Sequence, residues 1–380
     1  MAQQKDRTPD KVAADLRSRI RFTRSGSEEV PVIIQLNGPP QLGLRALLQR
    51  SGIRVRGNFD KFNMISLDLP ARVVDELASF PEVSVVDNDS KVRVLGHVTT
   101  TTGAEQVRGA LGGTSVLDGT GVGIAIIDSG IYSDHRSFSR GTDGDRIVFS
   151  KDFTGEGRTD DPYGHGSHVA SAASGNYSLY GGDYAGIASG ANLINLRVLR
   201  ADGTGSKSAV LDALNWIAAN ASTYNIRVVN ISLGTPSITS YSQDTLCQAV
   251  RNLVNSGIVV VAAAGNSGKD ANGVKQYGMI HSPGNEPSAI TVGATNTFGT
   301  NSRSDDGIAS YSSRGPTRSY WTDTTGIKHF DNLIKPDLVA PGNKLVYAES
   351  SVQGIQNGLV TANPQLDASV SYGAAPNAKV

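Results

Sequence analysis

Four apolar runs constrain the fold of this chain more than any other feature of its sequence. Each is a nearly continuous stretch of Val, Ile, Leu and Ala, which is typical of strands buried on both faces of a parallel sheet. Helical stretches separate the runs, and the most regular of them, residues 206–219, begins at a serine. The pattern predicts an α/β fold with a doubly wound, mostly parallel sheet. The runs are residues 122–127, 193–199, 228–231 and 258–264.

A smaller module precedes these runs. Residues 28–94 show the pattern strand, helix, strand, strand, helix, strand, which is typical of a ferredoxin-like α+β unit. Residues 96–102 show neither helical nor strand periodicity, which indicates a linker. We therefore expect four parts, namely a leader at 1–27, the small domain at 28–95, a linker and the start of the next domain at 96–118, and the large domain at 119–380.

Charge and composition exclude several classes of protein. The sequence has 35 Lys and Arg and 35 Asp and Glu, so its formal charge is zero, which argues against nucleic acid or an anionic membrane as the main partner. It contains no apolar run long enough for a transmembrane helix, and residues 1–27 lack the apolar core of a secretory signal. Cys247 is the only cysteine, so an intrachain disulfide and a cysteine-based zinc site are excluded.

Polar side chains follow the first and last of the four runs. Asp128 comes directly after the first run, and Asn266 follows the last. Functional groups of open parallel sheets collect at the carboxyl ends of the strands, although both residue types are also typical of turns. The NH₂ group of an asparagine is a neutral donor that can stabilise a developing oxyanion.

Two histidines lie between these positions, at a glycine-rich entry to a helix of small residues. His165 or His168 can act as a general base if a carboxylate orients its ring. Alternatively the two histidines are zinc ligands, although no convincing third ligand is near them in sequence, or His168 is simply a packed helix residue. The order aspartate, histidine, asparagine donor agrees with the chain order of subtilisin-type triads.

These residues give the chain a resemblance to the subtilases, the subtilisin-like serine proteases. Asp128 in Ile-Asp-Ser-Gly resembles the catalytic aspartate motif, His165 in His-Gly-Ser-His-Val-Ala the catalytic histidine motif, and Asn266 in Ala-Ala-Ala-Gly-Asn the oxyanion asparagine. Residues 232–234 resemble the segment that lines the substrate cleft, and residues 335–342 resemble the segment that precedes the nucleophile.

The resemblance implies a secreted serine endopeptidase that hydrolyses polypeptides with an Asp-His-Ser triad and needs no cofactor for its chemistry. Residues 28–94 resemble the family's propeptide, which implies a zymogen whose propeptide occupies the active-site cleft. We expect residues 95–102 to run along that cleft as an extended strand. The implied substrate-binding residues are Ser232, Leu233, Gly234, Ala263, Ala264 and Gly265.

One motif of the family is missing. Gly-Thr-Ser-Met-Ala, which carries the nucleophilic serine in subtilases, does not occur after residue 342. Ser371 lies upstream of Ala and Pro but lacks the preceding Gly-Thr, and too few residues follow it for a helix. We therefore expect a chain truncated before its serine and inactive alone. The alternative is a non-catalytic peptide-binding protein on the subtilisin fold.

Metal sites cannot be assigned from the sequence. Subtilases often bind calcium, so structural calcium is possible, but no contiguous loop has the oxygen-rich pattern of an EF-hand. Solvated loop carboxylates are the simpler interpretation of the candidate ligands, which are Asp160, Asp161, Asp305 and Asp306. A dinucleotide-binding enzyme is disfavoured because the glycines at 119, 121 and 123 precede a strand instead of following one.

Overall fold

A computed structural model of the chain describes residues 10–13, 16–17, 20, 28–89, 98–108, 117–139, 145–177, 182–368 and 376–380. The chain divides into two compact units, Met1–Arg93 and Val94–Val380. In the described ranges no helix has both the length and the apolar character needed to cross a membrane.

The first unit is a four-stranded antiparallel sheet with helices, as the sequence predicts. The elements are β1 (Glu29–Leu36), α1 (Leu42–Leu48), β2 (Arg54–Phe59), β3 (Met64–Pro70), α2 (Val74–Ala78) and β4 (Val83–Asn88). The strands lie in the order β2, β3, β1, β4, which together with the alternation of strands and helices is the ferredoxin-like arrangement. Alternate residues of β1 face the core, and Val32 of β1 pairs with Leu67 of β3.

The start of the second unit differs from expectation. Helices α3 (Val98–Thr101) and α4 (Ala104–Arg108) occupy most of the described part of the predicted linker, so the expected extended strand over residues 95–102 is wrong from 98 onward, and residues 95–97 lie outside the described residues. Threonine hydroxyls form local hydrogen bonds within this segment. Thr102 donates to the carbonyl oxygen of Val98 at 2.6 Å, and Thr100 donates to the carboxylate of Glu105 at 3.0 Å.

The second unit is built on an eight-stranded sheet. The strands are β5 (Gly123–Asp128), β6 (Ile147–Asp152), β7 (Asn192–Arg197), β8 (Ile226–Ile231), β10 (Val259–Ala263), β12 (Ile290–Asn296), β13 (Gly307–Ile308) and β16 (Leu338–Pro341). They lie in the order β13, β12, β10, β8, β5, β7, β6, and β16 also pairs with β12. Only β13 is antiparallel to its neighbour among these described strands, so the α/β prediction with a mostly parallel sheet is confirmed.

Helices cover this sheet, and two short ribbons lie outside it. Helix α6 (Lys207–Asn220) begins after Ser206, whose hydroxyl accepts a hydrogen bond from the backbone N–H of Ala209 at 3.1 Å, as expected of a helix N-cap. Val210, Leu214 and Ile217 of α6 pack in the sheet's core. The remaining elements are α5 (His165–Ser174), β9 (Thr235–Pro236), α7 (Thr245–Asn255), β11 (His281–Ser282), β14 (Tyr320–Thr322), β15 (Lys328–Phe330) and α8 (Gly358–Ala362).

The strand order fixes where a site can form. From β5 the chain moves to β6 and β7 on one side of β5, and then to β8 on the other side. A crevice therefore opens at the carboxyl end of β5, where the direction of winding reverses, and ligands of doubly wound folds bind at such a point.

Candidate active site

Asp128 is the last residue of β5 and lies at this crevice. Its side chain is fully buried. The carboxylate oxygen Oδ1 accepts a hydrogen bond from the backbone N–H of Ser129 at 2.8 Å and another from Nδ1 of His165 at 2.7 Å. The backbone oxygen of Asp128 accepts from the N–H of Val198 at 2.8 Å. Hydrogen bonds to both its carboxylate and its backbone oxygen thus hold Asp128 in place.

His165 is the first residue of α5. The preceding Gly164 is the N-cap, with a φ of 103°, a conformation that favours glycine. A Cβ at Gly164 would lie 2.3 Å from the side-chain oxygen of Asn357, so larger residues are also excluded by space. Nδ1–H donates to Asp128, which leaves the Nε2 edge of the 37% exposed ring to face a substrate.

The charge of Asp128 controls the protonation of this ring. Its negative charge, together with the 2.7 Å hydrogen bond, raises the pKa of His165 from 6.5 to about 9, and burial of the ring acts in the opposite direction. A buried carboxylate that stabilises an imidazolium is the arrangement a general-base histidine needs, because the ring must accept a proton during the reaction.

His168 is a packed helix residue. Its ring lies edge-on against Tyr347 with the centroids 5.6 Å apart, and Nε2 lies 3.3 Å from the backbone oxygen of Leu345. Burial lowers the pKa of His168. No group of three or more His, Cys, Asp or Glu that could hold a metal is found in the part of the chain that the structure describes, so a zinc site on His165 and His168 gains no support.

Asn266 lies at the same edge of the sheet. Pairing aligns Ile127 of β5 with Ile231 of β8, and Ile231 with Ala262 of β10. Adjacent strands are about 4.8 Å apart, so β5 and β10 are about 10 Å apart at this level. Asn266 follows β10 by three residues, and its side chain is exposed. The strand register therefore brings the asparagine to the edge that carries the Asp128–His165 pair.

The predicted substrate-binding residues line this edge on two strands. Ser232, Leu233 and Gly234 continue from β8, and Gly234 is exposed. Ala263 ends β10 and Ala264 and Gly265 follow it, and Gly265 has a φ of 104° with an added Cβ 2.8 Å from the ring of His281. Because the two segments end neighbouring parallel strands, they are the two backbone segments next to Asp128 on that side of the sheet.

Comparison with known proteins decides the family. The profile of the Subtilase family matches residues 119–378. The chain belongs to this family. Serine protease AprX of Bacillus subtilis (strain 168) is 30% identical over 319 residues, which are 82% of this chain and 66% of that protein. Proteinase T of Parengyodontium album is 32% identical over 256 residues, 64% of this chain and 77% of that protein.

Two further proteins are similar to this chain. The Extracellular serine proteinase of Thermus sp. (strain Rt41A) is 30% identical over 312 residues, 80% of this chain and 64% of that protein. A crystal structure of a cold adapted subtilisin-like serine proteinase is 32% identical and matches 61% of this chain and 67% of its own, with a TM-score of 0.43. The chain thus spans slightly less than two thirds of two of these relatives.

The Nε2 edge of His165 has no serine partner among the described residues. In the described ranges, no hydrogen bond to Nε2 of His165 is formed, and Ser371 lies outside those ranges. A cavity of about 240 Å³ lies beside His165 and His168 instead, lined largely by apolar side chains. Glu349 and Val380 also line this cavity.

The acidic residues proposed as calcium ligands have different surroundings from one another. Asp160 pairs with Arg158 at 2.6 Å, and Asp305 accepts from the hydroxyl of Thr300 at 3.0 Å. Asp161 is fully buried, so its interpretation as a solvated loop carboxylate is wrong. Its position in Asp-Pro-Tyr-Gly-His, just before a helix, is the sequence signal that could have identified it as a helix-capping residue.

Arg197 is a second residue that the sequence did not single out. It ends β7 and is fully buried, and its backbone lies opposite that of Asp128 on the neighbouring strand β5. Its guanidinium donates to the backbone oxygen of Ser129 at 3.0 Å and contacts the carboxylates of Asp152 and Glu156. A buried arginine needs such partners, and here they hold the turn that follows Asp128.

Proposed function

We propose that this subtilase is the precursor of a serine endopeptidase that hydrolyses peptide bonds in proteins. One observation carries the proposal, namely the 2.7 Å contact between Nδ1 of His165 and the buried carboxylate of Asp128 at the crevice of the sheet. The pair provides a general base whose tautomer is fixed by a carboxylate. No cofactor enters this chemistry.

The proposed reaction uses the exposed edge of His165. Nε2 takes the proton of a serine hydroxyl while the serine oxygen bonds to the carbonyl carbon of the substrate. His165 then returns the proton to the amine that leaves, and water hydrolyses the acyl-enzyme by the same steps. Asp128 stabilises the imidazolium throughout. The side chain of Asn266 donates to the oxyanion, a contribution typically worth about 10² to 10³ in turnover.

The substrate is proposed to lie on the two segments that end β8 and β10. Ser232, Leu233 and Gly234 would pair with the backbone of the polypeptide on one side, since extended peptides commonly bind by adding main-chain hydrogen bonds to exposed segments. Ala263, Ala264 and Gly265 would form the other wall of the cleft, because Ala264 is buried and its N–H and carbonyl oxygen already bond to Val292 and His281. The exposed backbone at Gly234 is the observation that supports this placement.

The nucleophile is proposed to come from a Gly-Thr-Ser-Met-Ala segment, which residues 1–380 do not contain, since Gly113-Thr114-Ser115 is followed by valine and precedes Asp128. We expect the 380-residue chain to hydrolyse no peptide, and a chain extended through such a segment to hydrolyse peptides in a manner that depends on Asp128 and His165. The measurement is covalent labelling with a fluorophosphonate followed by peptide mass mapping. Labelling of the unextended chain at Ser371, lost in His165→Ala, would contradict the assignment.

A non-catalytic peptide-binding protein is the second candidate. The observation that favours it is the free Nε2 edge of His165 in the described part of the chain. Such a protein would bind an extended peptide at the crevice, and addition of the serine segment would produce neither labelling nor turnover. Isothermal titration of the chain with unstructured peptides, run beside the labelling assay, separates the two functions.

The first unit is proposed to be the propeptide of a zymogen, occupying the active-site cleft as an inhibitor. Its own hydrophobic core and compact sheet support independent folding. Purified residues 28–95 should inhibit a complete relative, and retention of this unit uncut in the mature protein would contradict the proposal. We also propose that the protein is secreted, because one of its relatives is named an extracellular proteinase. The binding of structural calcium stays a prediction.

A further inference from the structure

A buried carboxylate that the proposed reaction does not use lies four residues before His165. Asp161 accepts hydrogen bonds from the hydroxyl of Ser129 at 2.8 Å, from the N–H of Gly164 at 2.7 Å and from the N–H of Ser167 at 2.8 Å. All three partners donate, so they favour the ionised carboxylate, while burial raises the pKa of Asp161. Asp161 thus accepts from two backbone N–H groups at the start of the helix on which His165 is the first residue.

Ser129 connects Asp161 to Asp128, the partner of His165. Its backbone N–H donates to Oδ1 of Asp128 at 2.8 Å, and its hydroxyl, which donates to Asp161, accepts from the N–H of Gly166 at 2.9 Å. Its carbonyl oxygen accepts from Nε of Arg197 at 3.0 Å. Each polar group of this fully buried serine therefore has a partner, and the partners include Asp128 and the helix that begins at His165.

The turn and the helix are also in direct backbone contact. A Cβ at Gly166 would lie 2.1 Å from the backbone oxygen of Gly130. No side chain separates the two elements there, and the hydrogen bonds of Ser129 and Asp161 hold them at this close spacing. A displacement of about 1 Å would lengthen the 2.7 Å contact between His165 and Asp128 beyond hydrogen-bonding distance.

We propose that Asp161, acting through the hydroxyl of Ser129, is a positioning residue that holds the imidazole of His165 against the carboxylate of Asp128. The inference rests on the proposed function only in treating that pair as catalytic. The competing explanation is that Asp161 is a helix cap that stabilises the fold and has no influence on the pair.

Nuclear magnetic resonance of the 380-residue chain with ¹⁵N-labelled histidine separates these explanations, since only six histidines are present and His165→Ala assigns the signal. The variant Ser129→Ala removes the hydroxyl and leaves every charge in place. Asp161→Asn removes the charge. The measured quantities are the pKa of His165 and the rate at which its Nδ1 proton exchanges with solvent.

Asp244→Asn is the matched control. Asp244 is also a buried aspartate at a helix N-terminus, where it accepts from the N–H of Leu246 at 2.9 Å and pairs with Lys207 at 2.9 Å. The helix it caps, α7, carries no residue of the candidate site. If losing a buried aspartate at a helix start altered His165 only through the general stability of the fold, Asp244→Asn would alter His165 as well.

Ser129→Ala and Asp161→Asn should both lower the pKa of His165 by about 1 and speed exchange of its Nδ1 proton about tenfold, as expected when a charge-assisted hydrogen bond is weakened. Asp244→Asn should change neither. If Ser129→Ala does not fold, Ser129→Cys replaces the hydroxyl with a weaker donor of similar shape and should shift both quantities in the same direction.

Three results would overturn the proposal. In the first, Ser129→Ala leaves both quantities unchanged while Asp161→Asn lowers the pKa, which would mean that Asp161 acts by charge alone. In the second, both variants leave His165 unchanged, which would make Asp161 a structural cap. In the third, the control shifts His165 as well. Since none of these measurements needs hydrolysis, failure of the proposed function would be recognised separately, in the labelling assay.

Discussion

Replacing Asp128 by Asn tests the electrostatics of the site. The negative charge of Asp128 raises the pKa of His165 from 6.5 to about 9, and this difference corresponds to about 3.4 kcal/mol of stabilisation of the protonated ring. Solvent screens part of that free energy because the side chain is 37% exposed, so we expect a contribution of about 1 to 2 kcal/mol. In Asp128→Asn the burial of the ring remains without the opposing charge, so the pKa of His165 should fall to 6.5 or below.

The sign of the pH dependence follows from the raised pKa. A histidine whose pKa is higher in the folded state contributes stability that is fully present below pH 6.5 and is lost as the pH rises through 9. Asp128→Asn should therefore lower the free energy of unfolding by about 1 to 2 kcal/mol at pH 6 and by much less at pH 10. Urea denaturation at the two pH values measures this difference.

The control for this experiment is Asp118→Asn. Asp118 accepts from the N–H of Thr120 at 3.0 Å in a turn, and its carboxylate is ionised at both pH values, so its loss should cost the same at pH 6 and pH 10. Equal destabilisation by Asp128→Asn at both pH values, or a pKa of His165 that stays near 9 in that variant, would refute the electrostatic argument.

Two further substitutions have predictable effects on stability. Burial raises the pKa of Glu349 from 4.5 to about 7, so the wild type loses stability as the pH rises from 4.5 through 7. Glu349→Gln should be about 3 kcal/mol more stable than wild type at pH 8 and equal to it at pH 4.5 by urea denaturation, and equal stability at pH 8 would contradict this. Gly166→Ala should cost about 1 to 3 kcal/mol or more, because its Cβ would meet the backbone oxygen of Gly130 at 2.1 Å. Gly358→Ala, whose Cβ would have only contacts of 3.6 Å or longer, is its control, and similar costs for both would refute the steric argument.

The sequence predicted the central strands of the sheet and missed some of the outer ones. Strand β5 is buried along its whole length, and its neighbours β7 and β8 also contain apolar runs, so continuous hydrophobicity identifies them. Strand β6 is at the sheet edge and alternates between half-buried and exposed residues over Ile147–Asp152. Its mixed sequence contains no continuous apolar run, because only a strand that is covered on both faces needs apolar residues at every position.

The candidate site was predictable where chemistry is local in sequence. Asp128 ends an apolar run and His165 begins a helix of small residues, so their positions draw attention to both, while the choice of His165 over His168 came from the resemblance to the subtilase motif. The contact between Asp161 and Ser129 joins residues 32 positions apart, and each residue alone is typical of a turn. Sequence pattern carries no information about such a pairing, which only the approach of α5 to the end of β5 creates.

The Asp128–His165 pair is built from nearby parts of one sheet edge. The turn after β5 supplies Ser129, the residues before α5 supply Asp161, and the end of β7 supplies Arg197. None of these contacts involves a nucleophile. The pair should consequently have the same Nδ1 hydrogen bond in the 380-residue chain as in a chain that carries the proposed serine segment. Adding the segment should therefore change turnover and leave the Nδ1 proton signal of His165 unshifted. A shift of that signal on extension would show that the nucleophile helps to assemble the pair.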